Sequence, residues 1–213
     1  DAVTETEGIV LALGGRAARV LQHVDSGGTT EDGGADGETG LEHLTSVQDS
    51  AQTRSHWSTT AELERFTHEA PPEGLFSEGA VAATPASARW MKVIDAADLR
   101  ERISRRKDIG SLRQLRVSGR TPSGRALAVE VVGSDGRAIY KGRKDLEELL
   151  GPGSLRSTLF TLQPLLDGRR VTRVVIWGAG TGHGLGFPRA GAMGQAGLGI
   201  AWRDILRRYF PRL

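Results

Sequence analysis

Residues 112–141, LRQLRVSGRTPSGRALAVEVVGSDGRAIYK, decide how this chain is read. Three apolar-rich runs, 112–118, 125–132 and 137–141, are separated by the turn formers Thr121-Pro122-Ser123-Gly124 and Ser134-Asp135-Gly136. The middle run alternates, with Ala126, Ala128 and Glu130 on one face and Leu127, Val129 and Val131 on the other. Short turns between such runs give antiparallel hairpins, because a parallel crossover needs a dozen or more residues.

Working outward, Asp95 is placed to cap a helix through about Arg105, with Ala97, Leu99 and Ile103 on one face. A short helix is expected over 143–150, stopped by Gly151-Pro152-Gly153. Strands are expected at 156–163 and 171–177, and helical pieces near 59–67, 189–198 and 201–209. Gly14-Gly15 splits GIVLALGGRAARVLQ at 8–22 into a hairpin. Residues 26–40, SGGTTEDGGADGETG, hold six glycines and no large apolar side chain, and read as a surface loop outside the core. The expected fold class is α+β, β-rich, with antiparallel hairpins and a few short helices. The expected organisation is an N-terminal hairpin and glycine-rich region at 1–68, a Pro/Ala/Gly-rich linker or insertion at 69–88, and a β-rich part of the same domain at 89–213.

Charge is balanced, 28 Lys+Arg against 26 Asp+Glu, so the total asks for no nucleic-acid partner. Arginines gather in 98–125 and at the C-terminal end, as Arg203, Arg207, Arg208 and Arg212. Such clusters form either a solvated basic face or a surface for an anionic polymer or lipid headgroups. The absence of cysteine excludes disulfides, thiolate zinc sites and cysteine nucleophiles. The five histidines, at 23, 43, 56, 68 and 183, have no ligand-like spacing, so no metal is expected. No apolar run approaches a bilayer-spanning length. The sequence opens at Asp1 with no visible signal peptide, so a leader has been removed or the sequence starts partway into a longer protein.

The strand at 171–177 runs into Gly178-Ala179-Gly180-Thr181-Gly182-His183-Gly184-Leu185-Gly186. A dinucleotide fingerprint would need its third glycine at position 183, which is His, and only 27 residues remain after Gly186. Five glycines around one histidine instead allow close backbone approaches that fix His183 in place. Its imidazole is either a satisfied structural group or one that binds a ligand or moves a proton.

Four ordered blocks, DAVTETEGIVLALGGRAARVLQHVDSGGTTED (1–32), ARWMKVIDAADLRERI (88–103), IGSLRQLRVSGRTPSGRALAVEVVGSDG (109–136) with LRSTLFTL (155–162), and GAGTGHGLGFPRAGAMGQAGLGIAWRDILRRYFP (178–211), resemble the stage II sporulation protein D / amidase enhancer (SpoIID/LytB) family. The resemblance implies an extracytoplasmic protein of the periplasm or cell envelope that binds or processes peptidoglycan. Its implied partners are glycan strands or other envelope proteins, with an upstream anchor or peripheral membrane contact, no nucleic acid and no cofactor. It implies substrate-lining roles for His23, Ser26, Gly27, Gly28, Thr30 and Glu31 of the first block, Ser157 of the third, and Gly182, His183 and Gly184 of the fourth. In active members a lytic transglycosylase reaction uses one glutamic acid, first as acid and then as base. That glutamate precedes the first block on an A-L-K-A-Q-A-V-A-A-R-T-Y-like helix. No such helix occurs in 1–213, so no catalytic residue is assigned and these residues alone are expected to be inactive. The family's Arg, Met and Gln positions around the glycine loop read Ala179, Phe187 and Arg189 here, which favours a non-catalytic structural or interaction subunit as the alternative.

Overall fold

The structure is a computed structural model and describes residues 2–35, 39–51, 57, 59–69, 73–79 and 88–213. After a single turn α1 (Ala2–Glu5), the glycine pair at 14–15 does close a hairpin, β1 (Ala12–Leu13) against β2 (Arg16–Ala17), although all four strand residues are exposed. A short β3 (Gln22–His23) follows. Helix α2 (Thr60–His68) starts with a capping box, Thr59 accepting from the Glu62 amide while Glu62 accepts from that of Thr59. Residues 70–72 and 80–87 of the expected linker lie outside the described residues.

Two three-stranded antiparallel sheets form the main body. One runs β5 (Leu112–Arg120), β6 (Ala126–Gly133), β7 (Arg137–Lys141), in sequence order as the turns dictate. The other places β9 (Arg170–Ala179) between β4 (Arg89–Asp95) and β8 (Phe160–Asp167). Helices α3 (Ala96–Ser104) and α4 (Gly142–Leu150) pack with both sheets around one core that includes Leu99, Ile103, Val129, Leu146, Leu149, Leu150 and Ile176. Each such side chain contributes about 1.5–3 kcal/mol by leaving water. The chain closes with β10 (Phe187–Pro188), α5 (Arg189–Gly197) and α6 (Trp202–Tyr209). A second core, with Leu41, Leu44, Ile205, Tyr209 and Phe210, joins these last helices to the early loops. The fold is therefore mixed α+β and β-rich, as the hairpin pattern predicts.

Three local expectations need correction. Asp95 sits at the N-cap of α3 but makes no capping bond, because its carboxylate accepts from Arg173 Nε at 3.2 Å across the sheet. The strand expected from 156 begins at Phe160, because Ser157 is taken up by the neighbouring strand end: its Oγ donates to Ala179 O and accepts from Leu159 N. The glycine-rich stretch at 26–40 is a loop, yet its first part is core, with Ser26, Thr29, Thr30 and Glu31 buried.

Candidate functional site

The first-block loop and the glycine loop are built against each other. β3 pairs with β10 in parallel, and the bridges Asp25–Thr181 and Glu31–Leu185 continue the contact along both loops. Gly27 has φ +76° and a Cβ there would lie 2.6 Å from Gly180 N. At Gly182, with φ +114°, a Cβ would lie 2.7 Å from the Cβ of His23. Glycine at these positions is the condition for the two backbones to touch.

The other two blocks latch this pair. Arg89 donates through Nη1 to Gly27 O and through Nε to Phe66 O, while its guanidinium lies over the Phe66 ring. Trp90 Nε1 donates to Gly180 O at 2.9 Å, and its indole fills the space beside Gly178. From the third block, Arg125 donates to Ser26 O and Thr29 O, and Gly184 lies against its guanidinium. Glu31 Oε2 accepts from Thr121 Oγ1 at 2.6 Å and Ser123 Oγ at 2.7 Å, and stands 3.9 Å from Arg125 Nε. Burial pulls the Arg125 pKa down to about 10, against the opposing attraction of Glu31. The charge is thus held in a low-dielectric place by a small set of fixed partners.

His183 uses both ring nitrogens locally. Its Nδ1 accepts from Leu185 N at 3.0 Å, so the proton sits on Nε2, which donates to Gln22 O at 3.1 Å. His23 is buried 5.5 Å away, ring centre to ring centre, and its Nδ1 donates to Leu185 O. Its Nε2 is buried without a hydrogen-bond partner among the described residues. Burial, with Arg125 and His183 close by, pulls the His23 pKa down to about 3, so the ring stays neutral and Nε2 keeps its lone pair.

A second buried chain underlies the loop. Ser26 Oγ donates to Asp49 Oδ2 at 2.6 Å, Tyr209 Oη donates to Asp49 Oδ1 at 2.5 Å, and Gln195 Nε2 donates to Tyr209 Oη at 2.7 Å. Burial pushes Asp49 up to about 6, with the Ser26 and Tyr209 hydrogen bonds acting the other way.

Of the expected site residues, the structure brings together His23, Ser26, Gly27, Gly28, Thr30, Glu31, Gly182, His183 and Gly184, with Ser157 behind them on Ala179 O. Thr30 and Ser157 spend their hydroxyls on backbone groups. Glu31 and His23 do not pair: Thr121 and Ser123 donate to the carboxylate, and the imidazole bonds to Leu185 O. Arg125, Asp49 and Tyr209 are the organising residues that sequence reading did not single out. Arg125 lies within the quoted Ser-Gly-Arg string, but nothing local shows that its charge is buried.

Chemically, the cluster is a rigid polar scaffold. The carboxylates Asp25, Glu31 and Asp49 are all buried and accept hydrogen bonds, Asp25 from Gly27 N. Among the described residues, no group of three or more His, Cys, Asp and Glu could hold a metal.

No curated protein matches the sequence. A family model does match, over residues 37–186, a span that includes Arg89, Trp90, Arg125 and the glycine loop but not the first-block loop they hold, and the chain belongs to that family, described as a domain of unknown function (DUF8618).

Proposed function

We propose that this chain is a peptidoglycan-binding module of the cell envelope, related to the stage II sporulation protein D type, that presents glycan strands and does not cleave them with its own carboxylates. The supporting observation is that all four blocks carrying the resemblance lock one another: Arg89 and Trp90 hold the two loops, and Glu31 and Arg125 join the first block to the third under Gly184. The carboxylates there are spent on hydrogen bonds, and a general acid must reach the glycosidic oxygen.

The test is sedimentation of the protein with purified peptidoglycan and with denuded glycan strands, followed by mass spectrometry of the products. Saturable binding with no anhydro-sugar ends supports the module. Anhydro ends would establish the lytic transglycosylase reading, and absence of binding would remove both.

A second reading, an interaction subunit of an envelope assembly, is favoured by the outer face of the β4–β9–β8 sheet. Met91 is 56% and Val93 50% exposed there, on the same face as Leu165 of the opposite edge strand. Co-purification from membranes of a stoichiometric partner, lost on Val93→Lys, would favour it.

A further inference from the structure

Away from the glycine loop, helices α3 and α4 enclose a cleft of about 530 Å³ lined by Arg102, Arg105, Arg106, Tyr140, Lys144 and two carboxylates, Asp145 and Glu148. Four cations face those two carboxylates, so the lining carries an excess of positive charge. Arg102 donates to Leu149 O, Arg106 pairs with Asp145, and Arg105 makes an exposed pair with Glu101. A guanidinium has five N–H donors, so one such bond leaves others for a ligand. Tyr140, on β7, supplies the second observation. It is 3% exposed, its ring lies 5.0 Å beneath the Arg106 guanidinium, and its hydroxyl has no hydrogen-bond partner among the described residues. A buried hydroxyl left unpaired costs free energy, and an incoming acceptor would remove that cost.

We propose that the α3–α4 cleft is an anion site for a phosphate ester, held by Tyr140 Oη and by the outward N–H groups of Arg102, Arg105 and Lys144. Donors that converge from two helices and a strand suit an oxyanion with three or more acceptor oxygens, whereas a carboxylate offers two in one plane. The arginines belong to the arginine-rich stretch 98–125, Tyr140 to β7 and Lys144 to the helix that follows it, so the basic character of that stretch has a specific place in the fold. The site is independent of the glycan reading, because none of its residues belongs to the interlocked loops.

The experiment titrates the whole chain with glycerol 3-phosphate, followed by amide NMR shifts, and in parallel with phosphatidylglycerol vesicles, followed by flotation. Saturable shifts confined to α3, α4 and β7 are expected for a soluble ester. Flotation without those shifts would assign the same chemistry to a lipid headgroup. Tyr140→Phe removes one oxygen without changing the packing shape, and weakens the observed binding about tenfold. Lys144→Gln weakens it as well, most at low salt. Absence of binding in both arms overturns the proposal. So does binding that Tyr140→Phe leaves unchanged, since charge alone would then account for it.

Discussion

Glu31 Oε2 and Arg125 Nε lie 3.9 Å apart with 7% and 3% of their side chains exposed, and the Gly184 backbone closes over the guanidinium. Isolated burial of either charge is expensive, so the pair stands or falls together. Removing one partner of a buried pair costs about 3–5 kcal/mol. Glu31→Ala strands the Arg125 charge and also deprives Thr121 and Ser123 of their acceptor, and is expected in that range by urea unfolding. Thr121→Val leaves both charges and the Ser123 bond to Glu31 in place but takes the acceptor from the Arg125 amide, and is expected to cost about 1–3 kcal/mol, less than Glu31→Ala. Equal costs for the two variants would mean that the pair does not organise the loops.

The fit of Gly184 over Arg125 can be tested by itself. Its φ is +87°, and a Cβ would lie 2.4 Å from Arg125 Cζ. Gly184→Ala therefore adds about 1–2 kcal/mol of backbone strain to about 1–3 kcal/mol of overpacking. Gly168, with φ +57° in the β8–β9 turn, has open space around its Cα. Gly168→Ala is expected to show the strain alone, and the difference between the two melting curves measures the contact with Arg125.

Hairpins were legible where turn chemistry was local. Asp135-Gly136 and the Gly14-Gly15 pair marked their strand junctions, and Gly151 ended α4 where expected. β4 was not read as a strand, because both of its faces carry apolar residues. Trp90 and Ile94 face the core while Met91 and Val93 face outward, which erases the alternation that marks a strand. The loop at 26–31 was misplaced for a related reason. Its burial is polar, satisfied by Arg125, Asp49 and backbone groups far away in sequence, so composition gives no sign of it. Asp49 and Tyr209 meet across 160 positions, and no local pattern announces that contact.

His183 separates a structural from a chemical role. Both ring nitrogens bond to backbone groups, Gln22 O and Leu185 N. His183→Ala leaves those two groups without partners, at about 1–3 kcal/mol each where water does not replace the bond. The loss is expected to appear as faster hydrogen exchange at the Leu185 amide. His183→Asn retains a side-chain acceptor for that amide and is expected to recover part of the protection. Unchanged exchange in His183→Ala would return the residue to the ligand-contacting class.

Asp49 and His23 make opposite contributions to the pH dependence of stability. The folded state holds the Asp49 proton up to about pH 6, against an ordinary value of 3.8, so this group's contribution falls as pH rises from about 4 to 6. His23 is held neutral down to about 3, against 6.5, so its contribution falls as pH drops through that window. From about pH 4 to 6 the folded chain has one extra proton on Asp49 and the unfolded chain one extra on histidine, and the two slopes cancel. A near-flat stability is expected from this pair over that range. Asp49→Asn removes the first contribution and exposes the second, giving a loss of about 1.4 kcal/mol per pH unit as pH falls from 6 to 4. His23→Gln does the reverse, so that stability rises on acidification over the same window. Urea unfolding at pH 4, 5 and 6 on the three proteins reads all of these slopes, and parallel curves would show that neither buried group titrates as its surroundings dictate.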